Sequence, residues 1–169
     1  MTDASKKHMK GKILFTVIAL GGLALCQLGS YLIETHTVRN APIRVFDFLY
    51  VTHVRNMGGI FGIFQGKGWI FALISVLLIV ALTIYVYRSY FNTFEYFLFG
   101  LIVAGGSSNI LDRIVYGSVI DFIDVRGIAF WQYIFNTADV MIHIGVWPLL
   151  IYSFFNPEEN DVPETQENI

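Results

Sequence analysis

Charge is missing from four long stretches of this chain. Ile13 to Ile33 runs 21 residues without Asp, Glu, Lys or Arg, Gly68 to Tyr87 runs 20, Tyr96 to Leu111 runs 16 and Val140 to Pro157 runs 18. A helix needs about 20 apolar residues to cross the hydrocarbon core of a bilayer. The first two stretches reach that length outright. The third and fourth are short, so their ends are expected to meet protein or headgroups. Lipid offers the backbone no hydrogen bonds, so each span is expected to be a helix. The first run exceeds the about 7–15 apolar residues of a secretory signal, and no small-x-small cleavage site follows it. It therefore reads as a retained span.

Composition agrees. Charged residues make up 14% of the chain, against about 25% in soluble domains, and the mean hydropathy is +0.59. Disorder of the whole chain is excluded by that hydrophobicity. A net charge of −2 and a pI of 6.0, without a dominant basic patch, argue against a nucleic-acid partner. The single cysteine, Cys26, rules out a disulfide framework and a cysteine-rich metal site. One domain over residues 1–157 is expected. Residues 158–169 hold five acidic and no basic residues and read as a disordered, solvated tail. In the third span Gly100, Ala104 and Ser108 recur every fourth residue, a spacing that lets helices approach closely.

Lys6, Lys7, Lys10 and Lys12 precede the first span. The positive-inside rule places that end in the cytoplasm, and four spans return the C-terminus to the same side. Two outer loops result, Glu34–Lys67 and Asp112–Ala138, joined across the membrane by a tight inner connection, Arg88–Glu95. Val45–Val54 and Gly127–Phe135 are rich in β-branched and aromatic residues and read as strands. Gly58, Gly59, Gly62, Gly66 and Gly68 are interleaved with Ile60, Phe61, Ile63 and Phe64. That pattern suits an amphipathic segment lying on the membrane surface.

The polar residues beside the spans gather on the outer side: Arg55 and Asn56, then Asn109, Asp112 and Arg113, then Asp121 and Asp124, then Asn136 and Asp139. Ionisable groups at a membrane edge are costly and point to function. Several have a plainer alternative. Asp139 follows Asn136 by three, so it could serve only to complement the start of the fourth helix. Asp121 could be an exposed loop carboxylate or a partner of Arg113, although Ile120 and Phe122 argue against exposure. Asp112 and Arg113 could anchor a span end at the interface. Asn109 is least explained by packing, because an amide near a membrane core needs partners. Two facing aspartates can hydrolyse a peptide bond, since close like charges make the pair share one proton. Spacing alone does not bring Asp121 and Asp139 together. His143 lies four residues after Asp139, but no His-x-x-x-His or cysteine pair accompanies it, and no metal is expected. Ser107 and Ser108 lack a nearby lysine.

Four segments carry a resemblance: Arg55-Asn-Met-Gly-Gly-Ile-Phe61, Gly105-Gly-Ser-Ser-Asn-Ile-Leu-Asp-Arg113, Val119-Ile-Asp-Phe-Ile-Asp124 and Phe135-Asn-Thr-Ala-Asp139. In this order around four spans, the chain from Ile13 to Phe155 resembles lipoprotein signal peptidase, also called signal peptidase II. The resemblance implies four transmembrane helices with a small periplasmic β-cradle and a surface amphipathic segment. It implies a monomeric aspartic endopeptidase of the bacterial inner membrane, active toward the periplasmic face. Such an enzyme takes lipidated prolipoproteins within membrane lipid and cuts before the diacylglyceryl-modified cysteine. Asp121 and Asp139 match the catalytic pair. Asn56, Gly105, Asn109, Arg113 and Asn136 match positions that line the site or bind substrate. No cofactor is implied. The chain departs from the pattern in its first span, where Asp-Gln-x-x-Lys is usual and Cys26-Gln-Leu-Gly-Ser30 stands instead. Ser108 replaces a glycine, and Ile60 replaces a small residue. Cys26 and Ser30, four apart, are expected to replace a helical ion pair as a unit. The alternatives are a divergent, non-catalytic relative that binds lipoprotein precursors and, less supported, a small transporter.

Overall fold

Each apolar run becomes a helix, and the two outer loops contribute strands to one small sheet. The computed structural model describes residues 3–59, 66–130 and 133–156. In chain order the elements are α1 (Asp3–His36), β1 (Ile43–Arg44), β2 (Leu49–Asn56), α2 (Gly68–Arg88), α3 (Thr93–Tyr116), β3 (Val119–Val125), β4 (Ile134–Phe135) and α4 (Thr137–Phe155). Among the described residues, four helices are long and apolar enough to cross a membrane: Ser5–His36, Gly68–Arg88, Thr93–Tyr116 and Thr137–Phe155. With 34 residues and about 1.5 Å per residue, α1 is roughly 50 Å long. The lysines at its start are therefore part of the helix, one or two turns beyond its apolar run. Most of the expected surface segment (residues 60–65) and the acidic tail lie outside the described residues.

α3 sits at the centre and packs against α1, α2 and α4. The small residues predicted to allow close approach do so. A Cβ on Gly100 would lie 2.9 Å from two atoms of Ile18, and one on Gly22 would lie 2.8 Å from the Ala104 methyl. Phe15, Ala19, Val86, Tyr96, Phe99 and Val103 form the buried cluster between the helices. α2 lies at the periphery and is apolar on every side, with Trp69, Leu73, Leu77 and Leu78 all outward and exposed. Such a surface needs lipid around it. Caps explain where α3 begins and ends. Asn92 and Glu95 form a reciprocal capping box, and Gly117, at φ 72°, ends the helix in the left-handed conformation with its N–H donating to the Arg113 carbonyl.

The sheet is antiparallel in the order β1-β2-β3-β4. β2 pairs with β3 from Leu49↔Val125 to Asn56↔Val119, and the register slips between Val51 and Val54. Thr52 and His53 there face the single residue Phe122, which is a β-bulge. The strands are shorter than their β-branched sequence predicts. Val45 and Phe46 both donate to the Leu49 carbonyl, so 45–48 is a reversal, which the pairing of Ile43 with Val51 requires. Gly127, at φ 91°, breaks the second predicted strand at its start, and among its described residues only Ile134–Phe135 pairs.

Close packing of α1 on α3 makes a test. Gly100→Ala forces the α1 backbone and Ile18 to shift and should destabilise the protein by about 1–3 kcal/mol. Gly21→Ala, where an added Cβ meets nothing within 4 Å, should be neutral or stabilising, since glycine in a helix costs about 1 kcal/mol. Thermal unfolding in detergent distinguishes the two; equal effects would remove the close-packing assignment.

Candidate active site

Asn136 starts α4 and organises the polar cluster. Its side-chain oxygen accepts from the Asp139 N–H at 2.9 Å, and its own N–H donates to Asp139 Oδ2 at 3.3 Å. This is the capping box expected from the spacing, with Asp in place of the usual Glu or Gln. The remaining side-chain amide of Asn136 reaches further. Its Nδ2 donates to Asp121 Oδ1 at 2.8 Å and to Asn109 Oδ1 at 3.2 Å. Asn109 Nδ2 in turn donates to Asp139 Oδ1 at 2.9 Å. Two amides thus join two carboxylates that arrive from β3 and α4. Asp139 serves as both cap and cluster member, so its two readings do not exclude one another.

Asp121 is 4% exposed. It stands opposite Val54, just past the bulge, and bulges re-aim side chains near functional sites. Asn56 Nδ2, from the last residue of β2, donates to its second oxygen at 3.1 Å. Burial pushes the Asp121 carboxyl up to about 7, and the nearby Asp139 charge adds to that. The Asn56 and Asn136 hydrogen bonds and the Arg113 guanidinium oppose it. Arg113 is held in place by donating to the Asn109 carbonyl at 3.0 Å and the Gly58 carbonyl at 2.9 Å.

Gly105 stands apart from these polar groups. A Cβ there would collide with the Ala138 carbonyl and lie 2.8 Å from Ile142. Its place is the α3–α4 crossing one turn before Asn109, where it lets Asn109 reach Asp139. His143 Nδ1 donates back to the Asp139 carbonyl at 2.8 Å. Asp124 lies elsewhere in the sheet. Burial alone would raise its carboxyl, but hydrogen bonds from Arg126 and Thr52 outweigh that and hold it below the usual range.

Asp112 is no interface anchor: it is 1% exposed. Its carboxylate accepts from Gln27 Nε2 at 2.8 Å, Ser30 Oγ at 3.0 Å and the Ile120 N–H at 3.0 Å. Among the described residues no cation forms an ion pair with it. It ties α1 to the residue before Asp121. Its three-residue spacing from Asn109 was the available signal, since both then lie on one side of α3. Cys26 and Ser30 have different partners. Ser30 faces Asp112, whereas the Cys26 thiol lies 3.5 Å from the Met141 sulfur on α4. Ser108, the replaced glycine, is buried and accepts from Gln27 Nε2 at 2.9 Å.

Known proteins match most of the chain in sequence and fold. Residues 17–155 match the family described as Signal peptidase (SPase) II. A lipoprotein signal peptidase of Clostridioides difficile is 34% identical over 148 residues, covering 85% of this chain and 93% of that protein. One from Syntrophomonas wolfei is 45% identical over 103 residues, covering 61% of this chain and 66% of that protein. A solved bacterial membrane enzyme superposes with a TM-score of 0.79 at 28% identity, over 92% of this chain and 93% of the other. A helical membrane bundle with a small antiparallel sheet, matched along most of its length, places this chain in the signal peptidase II family of lipoprotein signal peptidases.

Proposed function

We propose that the chain is an aspartic endopeptidase that removes the signal peptide from diacylglyceryl-modified prolipoproteins, cutting before the lipidated cysteine. The observation that carries this reading is the amide-bridged pair: Asn136 and Asn109 hold Asp121 and Asp139 in one hydrogen-bonded cluster. Burial and like charge favour a proton on Asp121. Asp139 accepts from Asn109 Nδ2 and from the Asn136 N–H at the start of α4. The ionised carboxylate takes a proton from water as the water oxygen attacks the scissile carbonyl carbon. The protonated carboxyl donates to the carbonyl oxygen. Collapse of the tetrahedral intermediate breaks the C–N bond, and the proton taken from water passes to the leaving nitrogen of the cysteine. The pair ends with one shared proton, as it began.

In this reading Asn56, Asn109, Arg113 and Asn136 line the substrate site, and Gly105 keeps α3 and α4 close enough to form it. The enzyme acts as a monomer in the bacterial inner membrane without a metal or cofactor. Residues 1–157 form the one peptidase domain and 158–169 a cytoplasmic tail. Both termini are cytoplasmic, and the sheet and the aspartates face outward.

Asp121→Asn and Asp139→Asn should each give folded protein whose turnover of a lipidated precursor falls by about 10²–10⁴-fold; undiminished turnover would remove that residue from the mechanism. Wild-type activity should be bell-shaped in pH, with the alkaline limb reporting the proton held at about 7.

The same proton predicts a stability effect. A carboxyl raised in the folded state binds a proton that the unfolded state releases between pH 4 and 7, so its contribution falls as pH rises through that window. Asp121→Asn lacks this loss. Its Tm relative to wild type should therefore improve from pH 4 to pH 8, and a constant difference would contradict the raised value.

For topology, cysteines replacing Val38 and Phe130, both strongly exposed, should react with an impermeant thiol reagent in intact cells carrying Cys26→Ser. A cysteine at Gln166 should react only after lysis. Labelling of Gln166→Cys in intact cells would invert the orientation.

A further inference from the structure

We propose that Arg55, braced by Glu34, is a positioning residue that aims Asn56 at Asp121. This rests on the aspartate-pair reading above. Arg55 lies one residue before the end of β2, and consecutive strand residues point to opposite faces. Whatever fixes the Arg55 side chain on one face fixes the direction of Asn56 on the other. Arg55 Nη1 donates to the Tyr116 carbonyl at 2.7 Å and to Ser118 Oγ at 3.1 Å. The first is a carbonyl at the end of α3, where a cation is favoured. The guanidinium also lies 5.2 Å from the centre of the Tyr116 ring. Nη2 donates to Glu34 Oε1, near the end of α1, at 2.5 Å. One side chain therefore joins the end of α1, the α3–β3 turn and the end of β2.

Both partners are largely removed from water, with side chains 14% and 20% exposed. Glu34 also pairs with Arg39 at 3.0 Å. His53 Nε2, 1% exposed, lies 3.1 Å from the other Glu34 oxygen, close but not aligned as a hydrogen bond. Removing the Glu34 charge leaves a partly buried guanidinium without its counter-ion. Asn56 is itself held by its neighbours: its oxygen accepts from the Gly58 N–H at 3.0 Å. Its amide donates to Asp121 from the last paired position of the sheet. A strand end is where register loosens first unless a side chain pins it.

The groups acting on Asp121 are burial and Asp139, which favour its protonated form, and Asn56, Asn136 and Arg113, which favour its ionised form. Loss of the Asn56 donor therefore holds the proton to higher pH. The test measures kcat, KM and pH profile on a diacylglyceryl-modified precursor in detergent for Arg55→Met, Arg55→Lys, Glu34→Gln, Asn56→Ala and Asp121→Asn. Arg55→Met should lower kcat by about 10- to 100-fold and move the alkaline limb upward, as Asn56→Ala does. Glu34→Gln and Arg55→Lys should give smaller shifts in the same direction and carry the test if Arg55→Met does not fold. A limb moved by Asn56→Ala alone, or activity that falls only with the amount of folded protein, overturns the proposal. Turnover by Asp121→Asn instead sinks the aspartate reading. The clamp is then judged by the Asn56 side-chain amide signal in asparagine-labelled protein, assigned by its loss in Asn56→Ala. That signal should move in Arg55→Met, and an unmoved signal rejects the clamp.

Discussion

The Asn136 side chain has one oxygen and one amide, and the site depends on both. The oxygen caps α4 and thereby sets where the helix begins and where Asp139 projects. The amide donates to Asp121 and to Asn109, which holds Asp139. Carboxylates taken out of water repel one another and lose their hydration, and each needs donors to compensate. Asn136 meets that need from a position that α4 requires in any case. Helix capping and site assembly are thus one interaction.

The helices bring the donors within reach. Gly105 leaves no side chain between α3 and the Ala138 carbonyl, so Asn109 faces the first turn of α4. Asp112, three residues on, is buried against Gln27 and Ser30 of α1 and accepts from the backbone before Asp121. Neutral donors meet a buried carboxylate here. A buried carboxylate left without donors would lose its hydration with nothing in return. The serine in the first span is therefore matched to Asp112 and not to Cys26, which fills space against Met141.

The sheet sets the remaining coordinate. Its bulge places two consecutive β2 residues, Thr52 and His53, opposite one β3 residue, and both are buried. Beyond the slip, Asp121 faces into the cluster beside Asn56. Polar groups on the sheet, Asp124 with Thr52 and Arg126, satisfy each other locally, so they do not compete for the donors around Asp121.

The spans were legible without coordinates because the cost of charge in lipid writes itself into the chain as uncharged runs, and those runs became helices. The packing stripe Gly100, Ala104 and Ser108 and the cap at Asn136 were legible for the same kind of reason: both depend on spacing within one helix. Strand ends were not, because β-branched residues suit an extended backbone wherever the reversal falls, and only the pairing of Ile43 with Val51 put it at 45–48. The meeting of Asp121 with Asp139, the burial of Asp112 and the bridging of three elements by Arg55 were not legible either. Each depends on side chains from segments far apart in the chain, and periodicity describes one segment at a time. Local order follows from local residue types, but which carboxylate loses its water follows from how α1, α3, α4 and the sheet close around it.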